Sequence, residues 1–282
     1  MRSLLPVPGC GGASRSGRLL TSIGLDDLDT LIGGGLLVGD LCLVKHPENS
    51  MFVRHLREAY AKEGSTHSHG IFHAQALQRC GGKCPIIATG ESAAAAPYIR
   101  CFSSTAEGAD EDDDTFSTLL RNLGTLLSGE PFAASCGGPK NLLRVLVDDV
   151  GSMVWCAPER LVGYVARLRA LLRHSYACCL LLTPFGSSKA PTQVGYFSDV
   201  VLSVDEVRRG CSAVNPSFSS NDGLLRIEKL SASNRVAQCF PPSSVYGFKK
   251  KKGRICIQPL HIPPTLGDDS TPHVGCQTFL NF

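Results

Sequence analysis

Residues 21–56, TSIGLDDLDTLIGGGLLVGDLCLVKHPENSMFVRHL, decide how this chain is read. Gly33-Gly34-Gly35 and Gly39 lead into an apolar run, Leu41–Val44, that reads as a short strand. A helix is expected from about Ser50 to Glu63, because Phe52, Val53, Leu56 and Tyr60 recur at helical spacing. Arg54, Arg57 and Lys62 are expected to face outward on it, and Gly64 to stop it. Glycine-rich lead, strand, turn and helix together form the approach to a phosphate-binding P-loop.

Such a loop is G-x-x-x-x-G-K-[ST]. Its backbone N–H groups cradle phosphates, its lysine neutralises their charge, and its hydroxyl ligates magnesium. On that template Lys45 stands at the first glycine and Ser50 at the second. Met51 stands at the lysine and Phe52 at the hydroxyl residue, while Glu48 brings negative charge into the cradle. All four required residues are missing, so ATP hydrolysis by the usual machinery is not expected. Lys45, Asn49 and Ser50 remain candidates for holding an anion at the helix N-terminus. The plainer reading is a strand-to-helix turn capped by Asn49 or Ser50.

Beyond this stretch, 282 residues with 43% apolar composition suffice for one large α/β domain. No apolar run reaches the ~18 residues of a membrane-spanning helix. Thirteen cysteines, scattered through apolar segments such as Leu41–Leu43 and Ile255–Ile257, read as reduced thiols of a cytosolic or nuclear protein. A net charge of +3 announces no polyanionic partner, so nucleic-acid binding would have to come from local patches. Residues 1–18 read as a disordered leader. A mitochondrial presequence fits them less well, because Pro and Gly oppose the amphipathic helix it needs.

Residues 65–118 read as a variable, partly disordered insert, with a strand candidate at Gly70–Ala74 and the acidic tract Asp110–Asp114. Leu119–Leu127 has helical character. Leu142–Asp149 is an apolar strand ending in two carboxylates, Asp148 and Asp149, where a hydrolase keeps its magnesium ligand. Pro158 then opens a helix to about His174. Ala177–Leu182 and Asp199–Val204 read as further buried strands. Strands alternating with helices imply a mostly parallel sheet. The last third turns antiparallel: Leu224–Leu230, then a hairpin in which Phe248–Lys250 and Arg254–Ile257 flank a Lys-Lys-Gly turn. The domain is expected to span 19–264, with 265–282 a flexible tail.

Four passages resemble the Elongator complex protein 4 family. They are Thr21–Leu25 with Leu28-Asp29 and Gly33–Gly39, the altered P-loop after Leu41–Val44, Val145–Ser152 with the helix and strand that follow, and Asp222–Leu230 with Tyr246–Lys249 and Leu260-His261-Ile262-Pro263-Pro264. The match covers roughly half the chain. The resemblance implies a RecA-like, P-loop NTPase type fold: a mostly parallel twisted sheet flanked by helices, with C-terminal antiparallel strands. It also implies a non-catalytic subunit that joins two other RecA-like Elongator subunits in a hetero-hexameric ring. That ring would support wobble-uridine modification of tRNA, with the chemistry in a separate catalytic subcomplex. On this reading no cofactor is expected, and an active ATPase of the RecA or clock type is the alternative.

Lys249, Lys250, Lys251, Lys252 and Arg254 place five cations within six positions, and in the family context they are the tRNA-binding candidates. The competing reading is a solvated turn whose charges blunt an edge strand. His67, His69 and His73 precede Cys80 and Cys84, but the paired C-x-x-C signature of a zinc site is missing, so no metal is expected.

Overall fold

The computed structural model describes residues 7–13, 19–75, 99–103, 114–185, 190–206, 221–231 and 241–260. Its elements run β1 (Cys10–Ala13), β2 (Leu19–Thr21), α1 (Asp26–Leu31), β3 (Leu36–Leu37), β4 (Leu41–His46), α2 (Met51–Thr66), β5 (Gly70–Gln75) and β6 (Ile99–Ser103). There follow α3 (Thr115–Ser128), β7 (Leu143–Val147), α4 (Pro158–Arg173), β8 (Ala177–Pro184), α5 (Ala190–Phe197), β9 (Val200–Glu206), β10 (Gly223–Lys229), β11 (Val245–Lys251) and β12 (Arg254–Pro259).

Among the described residues, nine strands form one sheet in the order β12-β11-β10-β9-β4-β8-β7-β5-β6. From β9 to β6 the neighbours pair in parallel, and from β9 to β12 they pair antiparallel. The architecture is thus α/β with a mostly parallel sheet, as the order of elements implied, and RecA-like, as the resemblance implied. Side chains alternate across the pleat, and each face carries its own core. Leu41, Leu43, Val145, Val147, Cys179 and Leu181 meet α3, α4 and α5 on one face. Cys42, Val44, Leu146, Cys178, Leu180 and Val204 meet α1 and α2 on the other. Strands covered on both sides have no polar face, which is why Leu41–Val44 of β4 and Ala177–Leu182 of β8 read as continuous apolar runs and β7 is broken by Arg144 alone.

Among the described residues, the antiparallel half has its core on one face. Leu225, Ile227, Tyr246, Phe248, Ile255 and Ile257 all join the α2-side core. β11 and β12 turn at Lys252 and Gly253, whose φ values of 46° and 82° are both left-handed, as a two-residue hairpin with the native strand twist requires. The outer edge of β12 is blunted: Asp27 Oδ2 accepts from the Ile257 N–H at 2.8 Å, and Pro259 has no N–H to offer.

Three expectations change. First, α2 does not stop at Gly64 but continues to Thr66, with Ser68 left-handed just beyond. Gly64 is there for close packing, since a Cβ would stand 2.9 Å from Arg144 Cδ and 3.1 Å from Ile71. Second, the span 65–118 is not all insert: β5 lies inside the sheet between β7 and β6, and α3 begins at Thr115. Residues 76–98 and 104–113 of that span lie outside the described residues, as do 265–282. Third, the leader is structured at 7–13, where Val7 is buried and β1 pairs with β2.

What fastens that segment is Arg144, a fully buried arginine on β7 that apolar patterning hides. Its Nη2 donates to Thr21 Oγ1 at 2.7 Å and its Nε to His69 Nδ1 at 3.1 Å, while its guanidinium lies 4.8 Å from the Tyr60 ring centre. With Nδ1 accepting, His69 donates from Nε2 to the Pro8 carbonyl at 2.6 Å. Burial, with the nearby Arg144 charge adding to it, pushes the His69 pKa down to about 4, so the ring stays neutral in this chain of contacts.

Candidate functional site

The C-terminal ends of the parallel strands are where this fold class places its ligands. β4 ends at Lys45-His46, the chain turns through Pro47-Glu48-Asn49, and α2 begins. Asn49 takes a left-handed φ of 59°. Ser50 is the N-cap, its Oγ accepting from the Val53 N–H at 3.1 Å. A cap of this kind is worth ~1 kcal/mol.

The helix N-terminus is then met by the chain's own anion. Glu206, the last residue of β9, sets Oε1 2.7 Å from Ser50 Oγ and 3.0 Å from the Phe52 backbone N, both of which donate to it. A carboxylate thus occupies the position where a P-loop would hold phosphate, and it gains the same N–H groups and helix dipole. Lys45 lies elsewhere. It continues the alternation of Leu41 and Leu43 onto the α4 face, opposite α2, and its Nζ pairs with Glu228 Oε2 at 2.6 Å.

The second polar group of the candidate site has the opposite sign. Asp148, at the end of β7, is buried. His73 Nε2 lies 2.8 Å from its Oδ2, and Arg57 Nε lies 2.9 Å from its Oδ1. The Arg57 N–H is not aligned on that oxygen, so the contact is an ion pair rather than a hydrogen bond. The Asp148 carbonyl accepts from Trp155 Nε1 at 2.9 Å, which fixes the strand end. A guanidinium therefore stands against the carboxylate that would hold magnesium in a hydrolase. Asp149 follows at a left-handed φ of 54°, its carbonyl accepting from the Ser152 N–H at 3.0 Å. Buried His46 donates from Nδ1 to the Pro47 carbonyl at 2.9 Å. Burial, then the Arg57 charge, pushes its pKa down against the pull of Asp148 and Asp149.

Of the five nucleotide candidates, the structure brings Asn49 and Ser50 to the N-terminus of α2 and Asp148 and Asp149 to the adjoining strand end. It sends Lys45 to the other face. The residues that the sequence reading did not assign to this site are Glu206, Glu228, Arg57 and His73, the last weighed only as a zinc ligand. Arg57 was expected to face out. Yet it stands four residues after Val53 and next to Leu56, at the flank of the apolar stripe, and a long side chain there reaches the sheet edge. Glu206 had one visible signal: it is an acid closing the apolar run of β9.

Lys249, Lys250, Lys251, Lys252 and Arg254 are all exposed on the β11–β12 hairpin. β10 pairs with β11 only as far as Gly223 and Phe248, so the cations project beyond the sheet. Gly223 in turn pairs with Glu206, which puts the hairpin tip on the same edge as the α2 N-terminus. The Phe248 and Phe52 rings, 4.9 Å apart, join the two. The three histidines of the zinc alternative do not converge: His67 contacts Glu63, His69 contacts Arg144 and Pro8, and His73 contacts Asp148. Cys80 and Cys84 lie outside the described residues, among which there is no group of three metal-ligating side chains.

The sheet order and the P-loop-like turn with its altered residues define a RecA-like protein whose phosphate and metal positions face its own side chains. The chain belongs to the PAXNEB protein family, that of Elongator complex protein 4: the family profile matches residues 3–98 and 91–278. Its relatives include the Elongator complex protein 4 of Danio rerio, 23% identical over 94% of this chain and 87% of the relative. That of Mus musculus is 24% identical over 94% and 82%. That of Drosophila melanogaster is 26% identical over 62% of this chain and 43% of the relative.

Proposed function

We propose that this chain is a non-catalytic subunit of the Elongator complex. It joins two other RecA-like subunits in a hetero-hexameric ring, contacts the catalytic subcomplex, and supports wobble-uridine modification by binding tRNA. The observation that carries the non-catalytic part is the pairing of Glu206 with the α2 N-terminus and of Arg57 with Asp148. Charge of each sign is balanced internally, so the edge keeps its shape without nucleotide or magnesium, and no cofactor is needed. Family membership supports the Elongator assignment. The exposed basic hairpin supports RNA contact through phosphates.

Free thiols at Cys10, Cys42, Cys136, Cys156, Cys178, Cys179 and Cys256 suit a reducing compartment, the cytoplasm with a nuclear share. No helix among the described residues is long and apolar enough to cross a membrane. Co-expression with the two RecA-like partners, followed by native mass measurement, tests the assembly. A six-membered species containing all three subunits is expected without added nucleotide. A monomer, or a ring that forms only with ATP, would contradict the proposal.

A further inference from the structure

The antiparallel strands β10, β11 and β12 have a second face that none of the described helices covers. Their buried apolar side chains, Leu225, Ile227, Tyr246, Phe248, Ile255 and Ile257, point to α2. The opposite face carries Leu224 and Arg226 from β10, Val245, Gly247, Lys249 and Lys251 from β11, and Arg254, Cys256 and Gln258 from β12. Cross-strand register fixes this grouping, since Arg226 pairs with Val245, Leu224 with Gly247, Gly247 with Gln258, Lys249 with Cys256, and Lys251 with Arg254.

Arg226, Lys249, Lys251 and Arg254 are exposed, and none has an ion-pair partner among the described residues. Lys249 and Lys251 stand about 7 Å apart along the strand, and Arg226 about 13 Å from Lys249. Lys251 and Arg254 are directly opposite, an arrangement that repels unless an anion lies between them. Among the described residues the acids on or beside this face are Glu228, held by Lys45, exposed Asp205 on β9, and Asp222, whose Oδ2 accepts from the Lys250 backbone N–H at 2.8 Å. Lys250 belongs to the other face of the ribbon, pairing with buried Ile255, and Lys252 sits in the turn.

We propose that this open face, rather than the hairpin tip as a whole, is the RNA contact, with Arg226, Lys249, Lys251 and Arg254 as its phosphate-binding residues. This rests on the RNA-binding reading above and adds the face and Arg226. Charge complementarity selects a polyanion. The contact is to backbone and not to bases, because Tyr246 and Phe248 are buried on the α2 side and leave the described part of the open face without an aromatic for stacking. A flat array of cations held in register by three strands fits the regular phosphate rows of a folded RNA, and it reads no sequence.

The test compares the full chain with two variants, Arg226→Gln/Lys249→Gln/Lys251→Gln/Arg254→Gln and Lys250→Gln/Lys252→Gln. Fluorescence anisotropy follows labelled tRNA between about 50 and 200 mM salt. The face variant is expected to bind at least roughly tenfold more weakly and to lower the salt slope by about 3 to 4. The second variant is expected to change the slope by less than about 1. Both should unfold at the wild-type temperature, since every substituted side chain is exposed. A duplex RNA of unrelated sequence should compete with tRNA. Equal losses in the two variants would overturn the face while leaving RNA binding standing. Slopes unchanged in both, or no binding by the wild type, would overturn the face and the RNA-binding reading together.

Discussion

Replacing Arg57 by alanine will destabilise the fold by about 3 kcal/mol, because it leaves the Asp148 carboxylate buried without its countercharge. In urea that is a fall in midpoint of about 1 M. The size of the effect reflects the penalty of a stranded charge more than the worth of the pair. Removing the charge as well should therefore restore much of the loss. Arg57→Ala/Asp148→Asn keeps an oxygen for His73 Nε2 to donate to and removes the buried carboxylate along with its countercharge. The double-variant cycle should show coupling of at least about 1 kcal/mol. If the single and double variants are equally unstable, Arg57 acts through packing alone, and the ion pair has no part in holding this edge.

Gly35→Ala is the second large effect, with an expected cost of about 3 kcal/mol or more in the same measurement. Gly35 sits at φ 109°, and a Cβ there would stand 2.2 Å from the Thr21 carbonyl oxygen and 2.8 Å from its carbon. The obstacle is backbone, so no rotamer relieves it, and β3 would have to leave β2. Gly34→Ala is the control. Its φ is 98°, but the nearest atom to a Cβ would be Leu20 Cδ1 at 3.7 Å, so it pays only the conformational cost of about 1 kcal/mol. Equal effects at both positions would show that backbone strain, not close approach of the two strands, explains the glycines. The run that reads as the approach to a phosphate loop thus serves to bring β3 close against β2 within the small sheet β1-β2-β3.

How much of this the chain discloses as a sequence depends on the range of the interactions. The strands β4, β7, β8 and β9 were legible because burial on both faces leaves mostly apolar runs, broken within β7 by Arg144 and within β9 by Ser203, and α2 and α4 because one stripe must be apolar. The loss of the P-loop residues was legible by position alone. What filled their place was not. Glu206 meets Ser50 across 156 residues, and His73 meets Asp148 across 75. Local pattern carries no information about such partners. Arg144 was missed for the same reason: alternation marks its position as interior, and only the distant Thr21 and His69 make a buried guanidinium tolerable. The open basic face was half visible. The lysine run stood out, but its division between two faces needed the register of β11 against β12, and Arg226 needed that of β10.

The central claim is that the nucleotide position is balanced by the chain's own charges and does no hydrolysis. Calorimetric titration of Mg·ATP into the full chain, with a phosphate-release assay on the same sample, tests it most directly. The account predicts no saturable heat and no phosphate release above a protein-free control. Stoichiometric Mg·ATP binding by the wild-type chain, or turnover abolished by Asp148→Asn, would contradict it.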